Sequence, residues 1–174
     1  MNRTAQSHEI DPLHFRKVMG RFATGVTVIT AKSGGKAHGM TANAFMSGSL
    51  DPPLCVVSVA RRAHMHAYLI EARRFAVNIL AAGQTDHANH FAGRLVPDLA
   101  PRFIEIDAIP ALVDVSARIT ADLAASHDCG DHTIFIGHVL NMEAEDRPPL
   151  LYYDGHYAAL QSKRGAETPL PEFW

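Results

Sequence analysis

Apolar side chains recur with a period that changes several times along the chain, and each change marks an element. Phe15, Val18, Met19 and Phe22 fall at i, i+3, i+4 and i+7, one face of a helix. Asp11 supplies an N-cap, Pro12 suits the first helical position, and Gly25 is a stop signal. The β-branched run Val26–Ala31 reads as a strand, and Ser33-Gly34-Gly35-Lys36 turns it back into a partner over Ala37–Met46. Leu54–Val59 is continuously apolar between Pro52-Pro53 and Arg61-Arg62, which predicts a buried strand. Ala63–Glu71 predicts a short helix with Met65, Leu69 and Tyr68 inward, Phe75–Leu80 a strand, and Gln84–Ala92 another short helix. A proline-broken loop covers Gly93–Pro101. Long strands follow over Val113–Ala124 and Thr133–Glu143, then Leu150–Tyr153 and Tyr157–Leu160 around the turn dipeptide Asp154-Gly155.

No sustained βαβ alternation and no internal repeat is present. Short helices among hairpin-linked strands predict a mainly β fold, an antiparallel β-barrel. With 174 residues, the expectation is a single domain over 1–174, its core about 11–161, with flexible tails at both ends. The tail from Arg164 to Trp174 could serve as a dimer arm. A 47% apolar and 20% charged composition is globular, and a net charge of −2 gives no basic field for nucleic acid. No apolar run reaches membrane-span length, and the start lacks the apolar core of a signal peptide. Cys55 and Cys129 have no CxxC spacing, so the default compartment is the cytoplasm.

Candidate chemistry centres on His38–Ala60. Gly39, Thr41, Ala42, Asn43, Ala44, Ser47, Gly48 and Ser49 are small or carry uncharged donors and acceptors, so a ligand can approach the backbone closely. Two arginines after the buried strand add an anion site, since a guanidinium grips phosphate as a two-pronged fork. This combination suits a flat polar heterocycle bearing phosphate; an ordinary Ser/Thr-rich strand and turn is the alternative. No G-x-G-x-x-G, Walker loop or G-x-S-x-G elbow occurs, so neither a Rossmann nucleotide site nor a serine hydrolase is indicated. His127-Asp128-Cys129-Gly130-Asp131-His132 invites a metal reading. Neighbouring strand residues point to opposite faces, however, and no second ligand pair is spaced to join them. His64, His66, His87 and His90 read as exposed.

Several ordered matches carry a resemblance. Phe22-Ala23-Thr24-Gly25-Val26-Thr27-Val28-Ile29-Thr30, HGMTANAFMSGSLDPPL from His38, FAVNIL at Phe75–Leu80, NHFAG at Asn89–Gly93, GDHTIFIG at Gly130–Gly137 and PLLYYDGHY at Pro149–Tyr157 resemble the short flavin reductases of two-component monooxygenases. The phenol-hydroxylase type is the nearest in pattern. The resemblance implies the split-barrel flavin-binding fold, commonly a homodimer, and an NAD(P)H-dependent reduction of FMN or FAD, with NADH, or NADPH as the alternative, as donor. The reduced flavin would pass to a separate oxygenase component. It implies that Met40, Thr41, Ala42 and Asn43 line the isoalloxazine, with Ser47 and Ser49 toward the ribityl chain or phosphate. Ser58, Val59 and Ala60 leave the strand end, and Arg62 binds phosphate. In the GDH motif, His132 reaches toward the nicotinamide dinucleotide beside Asp131. Phe91 would pack on flavin or adenine, and Tyr157 would stand near the nicotinamide pocket. Relatives tend to carry Gly or Asn, and Lys or Ser, around Ala60–Arg62, so the phosphate contacts here differ from that pattern. Two rival readings are a flavin-binding module without turnover and a His-rich metal-dependent enzyme.

Overall fold

A computed structural model of the chain describes residues 10–160; both tails, including the Arg164–Trp174 segment, lie outside the described residues. It contains helix α1 (Pro12–Met19), strands β1 (Thr24–Gly25), β2 (Thr27–Ser33), β3 (Lys36–Ala42), β4 (Phe45–Leu50) and β5 (Pro53–Ala60), and helix α2 (His64–Ala72). Next come β6 (Arg74–Ile79), α3 (Thr85–Phe91), β7 (Phe103–Ile106), β8 (Ile109–Leu112), β9 (Ala117–Cys129), β10 (His132–Ala144), β11 (Leu150–Tyr153) and β12 (His156–Ala159). Seven strands form one antiparallel sheet in the order β3-β2-β6-β9-β10-β5-β4. Its edge strands, β3 and β4, are consecutive in the chain and joined only by Asn43-Ala44. Both edges therefore meet at that corner, and the sheet curls into the expected split-barrel architecture without a β3–β4 pairing. A three-stranded sheet, β1-β11-β12, and the β7-β8 hairpin complete the fold.

The local causes are visible in the residues. Gly34 and Gly35 take φ of 55° and 74°, which lets β2 turn tightly into β3 with Ser33 opposite Lys36. Asp11 caps α1 by accepting the Leu13 and His14 amides. The main core lies inside the curl, where Ile29, Val57, Val59, Leu69, Phe75, Val77 and Phe135 are buried together. A second cluster gathers Val26, Val28, Leu80, Ala88, Leu112, Val115 and Leu150 beneath α3. Buried Asn78 donates to the Val28 carbonyl and accepts from the Leu112 amide, fastening the β7-β8 hairpin to the sheet.

Four expectations change. The helix stops at Gly20 rather than running through Phe22, and no α1 residue is buried, so its apolar face meets no partner among the described residues. The return strand after the hairpin breaks at Asn43-Ala44, giving β3 and β4 instead of one strand. Only alternate residues of β5 are fully buried, because Leu54, Val56 and Ser58 point to the outer face. Of the histidines read as exposed, only His64 is: His66 meets Thr133 Oγ1 at 2.9 Å and Phe135 edge-on, and His87 and His90 are half-buried on α3.

Candidate functional site

Strand alternation divides the Met40–Asn43 stretch between two faces. Met40 packs against the main core. Thr41 points the other way, and its hydroxyl donates to the Ala88 carbonyl at 2.7 Å, tying β3 to α3. Ala42 reaches the core and also lines a cavity of about 330 Å³; Thr41 and Asn43 line the same cavity. Asn89, Ala92 and Arg94 form the wall opposite, and Val26, Tyr152, Gly155 and Tyr157 complete it.

Local rules place that wall. Helix α3 ends with Gly93 at φ 86°, the Gly93 amide bonded to the His90 carbonyl and the Arg94 amide to the Asn89 carbonyl. This is the paired-bond C-terminal cap that glycine favours, and it turns the chain so that Asn89 and Arg94 flank one opening. Asp154 and Gly155, with φ of 48° and 83°, turn β11 into β12 and set Tyr152 opposite Tyr157 with ring centroids 5.6 Å apart. Burial raises the Tyr157 phenol above its ordinary value, Tyr152 adds to that, and Arg94 opposes it.

A second group of residues gathers at the end of β5. Ser58 donates its amide to the Ala44 carbonyl at 3.1 Å, so the β5 end abuts the Asn43-Ala44 corner. Backbone groups alternate sides along a strand, so the Ala60 amide faces the same edge as the Ser58 amide, beyond the last β4 pairing at Phe45. Val59 is buried and offers a ligand only its backbone. Ala60 lies opposite His132 in the β5–β10 ladder. His132 Nδ1 lies 2.7 Å from Asp131 Oδ1, which leaves Nε2 free to face outward. The hydrogen bond to His132, its charge, and more weakly that of Arg62 hold the Asp131 carboxyl below its ordinary value. Arg61 pairs with Asp128 at 3.0 Å.

Thus Thr41, Ala42, Asn43 and Tyr157 come together in the cavity. Ser58 abuts the corner through its amide, whereas Ala60 faces His132 on the β10 side of β5, with Asp131 beside that histidine; none of these, nor Arg62, lines the cavity. Ser47 and Ser49 lie along β4, outside the cavity, on either side of an irregular register. Phe91 also lies outside it; its ring packs over Gly39, Val28 and Phe103. Asn89, Ala92, Arg94 and Tyr152 were not singled out as site residues. Only the glycine after Phe91-Ala92 signalled a helix end that could aim such residues. Among the described residues, no three His, Cys, Asp or Glu side chains converge as a metal site would require.

A family model described as the flavin reductase like domain matches residues 19–161. The chain belongs to this flavin reductase family. It is 40% identical over 156 residues to an NADH-dependent flavin reductase of a Rhodococcus species, covering 88% of this chain and 89% of that one. It is 39% identical to the reductase component of a 4-hydroxyphenylacetate 3-monooxygenase from Thermus thermophilus, with 84% and 95% covered. Among solved structures, the flavin reductase PheA2 superposes with a TM-score of 0.86 at 41% identity, covering 88% of this chain and all of that one.

The donor set suits a flavin. Among the described residues no carboxylate lines the cavity, while the Asn43 and Asn89 amides offer paired donors and acceptors of the kind a pyrimidine edge requires. Ala42, Ala92 and Gly155 leave the backbone approachable, two tyrosine rings supply flat surface, and Arg94 supplies a cation. A volume near 330 Å³ is at the lower end of small-molecule cavities, about 300 to 1,000 Å³, and holds one ring system rather than a whole dinucleotide.

Proposed function

We propose that this flavin reductase family member is an NADH:flavin oxidoreductase that reduces FMN or FAD, NADPH being a second possible donor, and supplies reduced flavin to a separate oxygenase. The observation that carries the reading is the cavity at Asn43, whose lining among the described residues is two amides, two tyrosines, small residues and one guanidinium, with no carboxylate. The chain acts as one domain, about residues 11–161. The relatives support the redox partners: one is an NADH-dependent flavin reductase and another a monooxygenase reductase component.

When bound, the flavin supplies the hydride-accepting ring, and this chain's task is alignment rather than acid–base chemistry. Thr41–Asn43 and Tyr157 form the ring cradle, with the Asn43 amide at the polar edge, while Met40 backs that strand from the core. Ser58–Ala60 presents backbone to the same corner, and Ser47, Ser49, Arg62 and Phe91 stand outside the cavity as outer contacts. His132 orients the dinucleotide through Nε2. Asp131 holds the ring by its Nδ1 side, so the imidazole has one orientation to offer. A carrier product has to leave, so the site is shallow and the flavin exchangeable.

A homodimer accounts for apolar surface that the monomer leaves bare. Leu13, Phe15, Val18 and Met19 on α1 are all more than half exposed, as are Met46 and Leu50 on edge strand β4. A cytoplasmic location is part of the same proposal; the proposed use of NADH and a free, exposed Cys129 thiol, which suits a reducing compartment, support it. Among the described residues no helix is long and apolar enough to cross a membrane.

The test is NADH oxidation by the purified protein with FMN or FAD added in turn, beside His132→Ala. Flavin-dependent turnover that weakens in the variant mainly through KM for NADH supports the reading. Bound flavin without turnover by either nicotinamide refutes the enzyme and leaves a flavin-binding module.

A further inference from the structure

The tip of the β9–β10 hairpin, which presents His132, has little packing of its own. Residues 126–131 are all exposed, and Gly130 turns the chain at φ 60°. Beyond the strand ladder, the contacts that hold this tip come from the segment that leaves β5 and opens α2. The Arg61 amide donates to the Asp131 carbonyl at 3.0 Å, and the Arg61 guanidinium pairs with Asp128 at 3.0 Å. That ion pair is largely exposed, so it fixes little. Five residues on, His66 Nε2 lies 2.9 Å from Thr133 Oγ1, and the imidazole stands edge-on to Phe135 with ring centroids 5.3 Å apart.

The His66 contact is built on firmer ground. Met65 and Leu69, on either side of it in α2, are buried with Val59 and Phe135 in the main core. Thr133 is 5% exposed, and among the described residues His66 is the one hydrogen-bond partner of its hydroxyl. A β-branched side chain is stiff at χ1, so pinning its hydroxyl pins the backbone that carries it. Successive strand residues point to opposite faces, so Thr133 faces α2 while His132, one residue earlier, faces outward. Asp131 orients the His132 ring on the tip, and His66 orients the tip on the body of the protein.

We infer that His66 is a positioning residue: acting through Thr133, it sets where His132 presents Nε2 to the nicotinamide dinucleotide. The inference rests on the flavin reductase reading and on the place of His132 in it. His66 does not line the cavity, so its loss is felt by the dinucleotide and not by the flavin.

The experiment measures kcat and KM for NADH with FMN in excess, and the FMN dissociation constant by fluorescence, with melting curves as the folding control. The variants are His132→Ala, His66→Phe, His66→Gln, Thr133→Val and the double variant His66→Phe/Thr133→Val. His66→Phe keeps a ring against Phe135 and removes the hydrogen bond. Thr133→Val removes the same bond from the other side, should the larger ring unfold α2. Each single loss raises KM for NADH about 3- to 10-fold, the worth of one hydrogen bond, with FMN binding unchanged and kcat within about twofold. The double variant goes no further than the larger single, because both remove one interaction. His66→Gln places an amide about where Nε2 stands and keeps KM within about twofold of the unmodified protein. An unchanged KM in folded His66→Phe and Thr133→Val overturns the inference. So does a raised KM matched by an equal loss of FMN affinity, the mark of general loosening, or full additivity in the double variant. A normal KM in His132→Ala removes the histidine that His66 is said to position and overturns the inference while leaving the reductase reading. Absence of flavin-dependent NADH oxidation by the unmodified protein overturns both.

Discussion

Gly39 sits where β3 passes under α3, and adding one methyl there tests whether the cavity wall is held by packing. A Cβ on residue 39 would lie 2.6 Å from Phe91 Cδ1 and Cε1 and 3.2 Å from Val28 Cγ1. Carbon atoms rest about 3.5 to 4.0 Å apart, so the Phe91 ring must retreat by about 1 Å. It is not free to do so without loss, since it meets Phe103 edge-on at 6.3 Å and His90 at 5.2 Å. Overpacking of this kind costs about 1–3 kcal/mol, and the half-buried position of Phe91 puts the figure near 1–2 kcal/mol. For a chain of this size that lowers Tm by about 2–8 °C. Urea unfolding of Gly39→Ala should show a lower midpoint with an unchanged slope. Helix α3 carries Asn89 and is capped by Ala92, so the same variant should bind flavin more weakly. Phe91→Leu vacates the space, and the double variant should therefore recover about 0.5–1 kcal/mol relative to the sum of the singles. Additive losses, or full stability in Gly39→Ala, would show that the close approach of β3 and α3 is not a constraint.

Asn78→Ala strands the Val28 carbonyl and the Leu112 amide in a fully buried site; unfolding measurements should show a loss of about 2–3 kcal/mol. Asp131 titrates below the ordinary carboxylate value, so its pairing with His132 is complete above that value and is lost as pH falls through the lowered one. A carboxyl-carbon NMR titration should find the midpoint moved upward in His132→Ala, and an unmoved midpoint would show the pair does not form in solution. Burial pushes the Cys55 thiol up to about 11, whereas Cys129 is exposed. A thiol reagent at pH 8 should therefore modify one cysteine per native chain and the second only after denaturation. Met46→Asp places a charge on the exposed β4 edge of the proposed homodimer, and light scattering should show a lower mass than for the unmodified protein.

Much of the fold was legible because its signals are local. Gly34-Gly35 specifies a tight hairpin through positive φ, and the spacing of Met65 and Leu69 orients α2 onto the core as expected. The β7-β8 hairpin was missed because its turn places Asp107 and Ala108 at φ of 53° and 61° with no glycine to mark it. The periodicity of α1 showed an apolar face but carried no information on what covers it. The Met40–Asn43 stretch stood out by composition, yet its division into a core-facing Met40 and a cavity-facing Thr41 depended on which face of β3 the curl encloses. Arg94 and Tyr152 are far apart in sequence and share a cavity only because α3 docks on β3 through Thr41 and Ala88 while β11 pairs with β1. Propensity, capping and turn chemistry act over a few neighbouring residues, and those the chain itself fixed. The cavity is made of pairings between distant segments, which depend on how the sheet closes, and that was decided only when the two edges met at Asn43-Ala44.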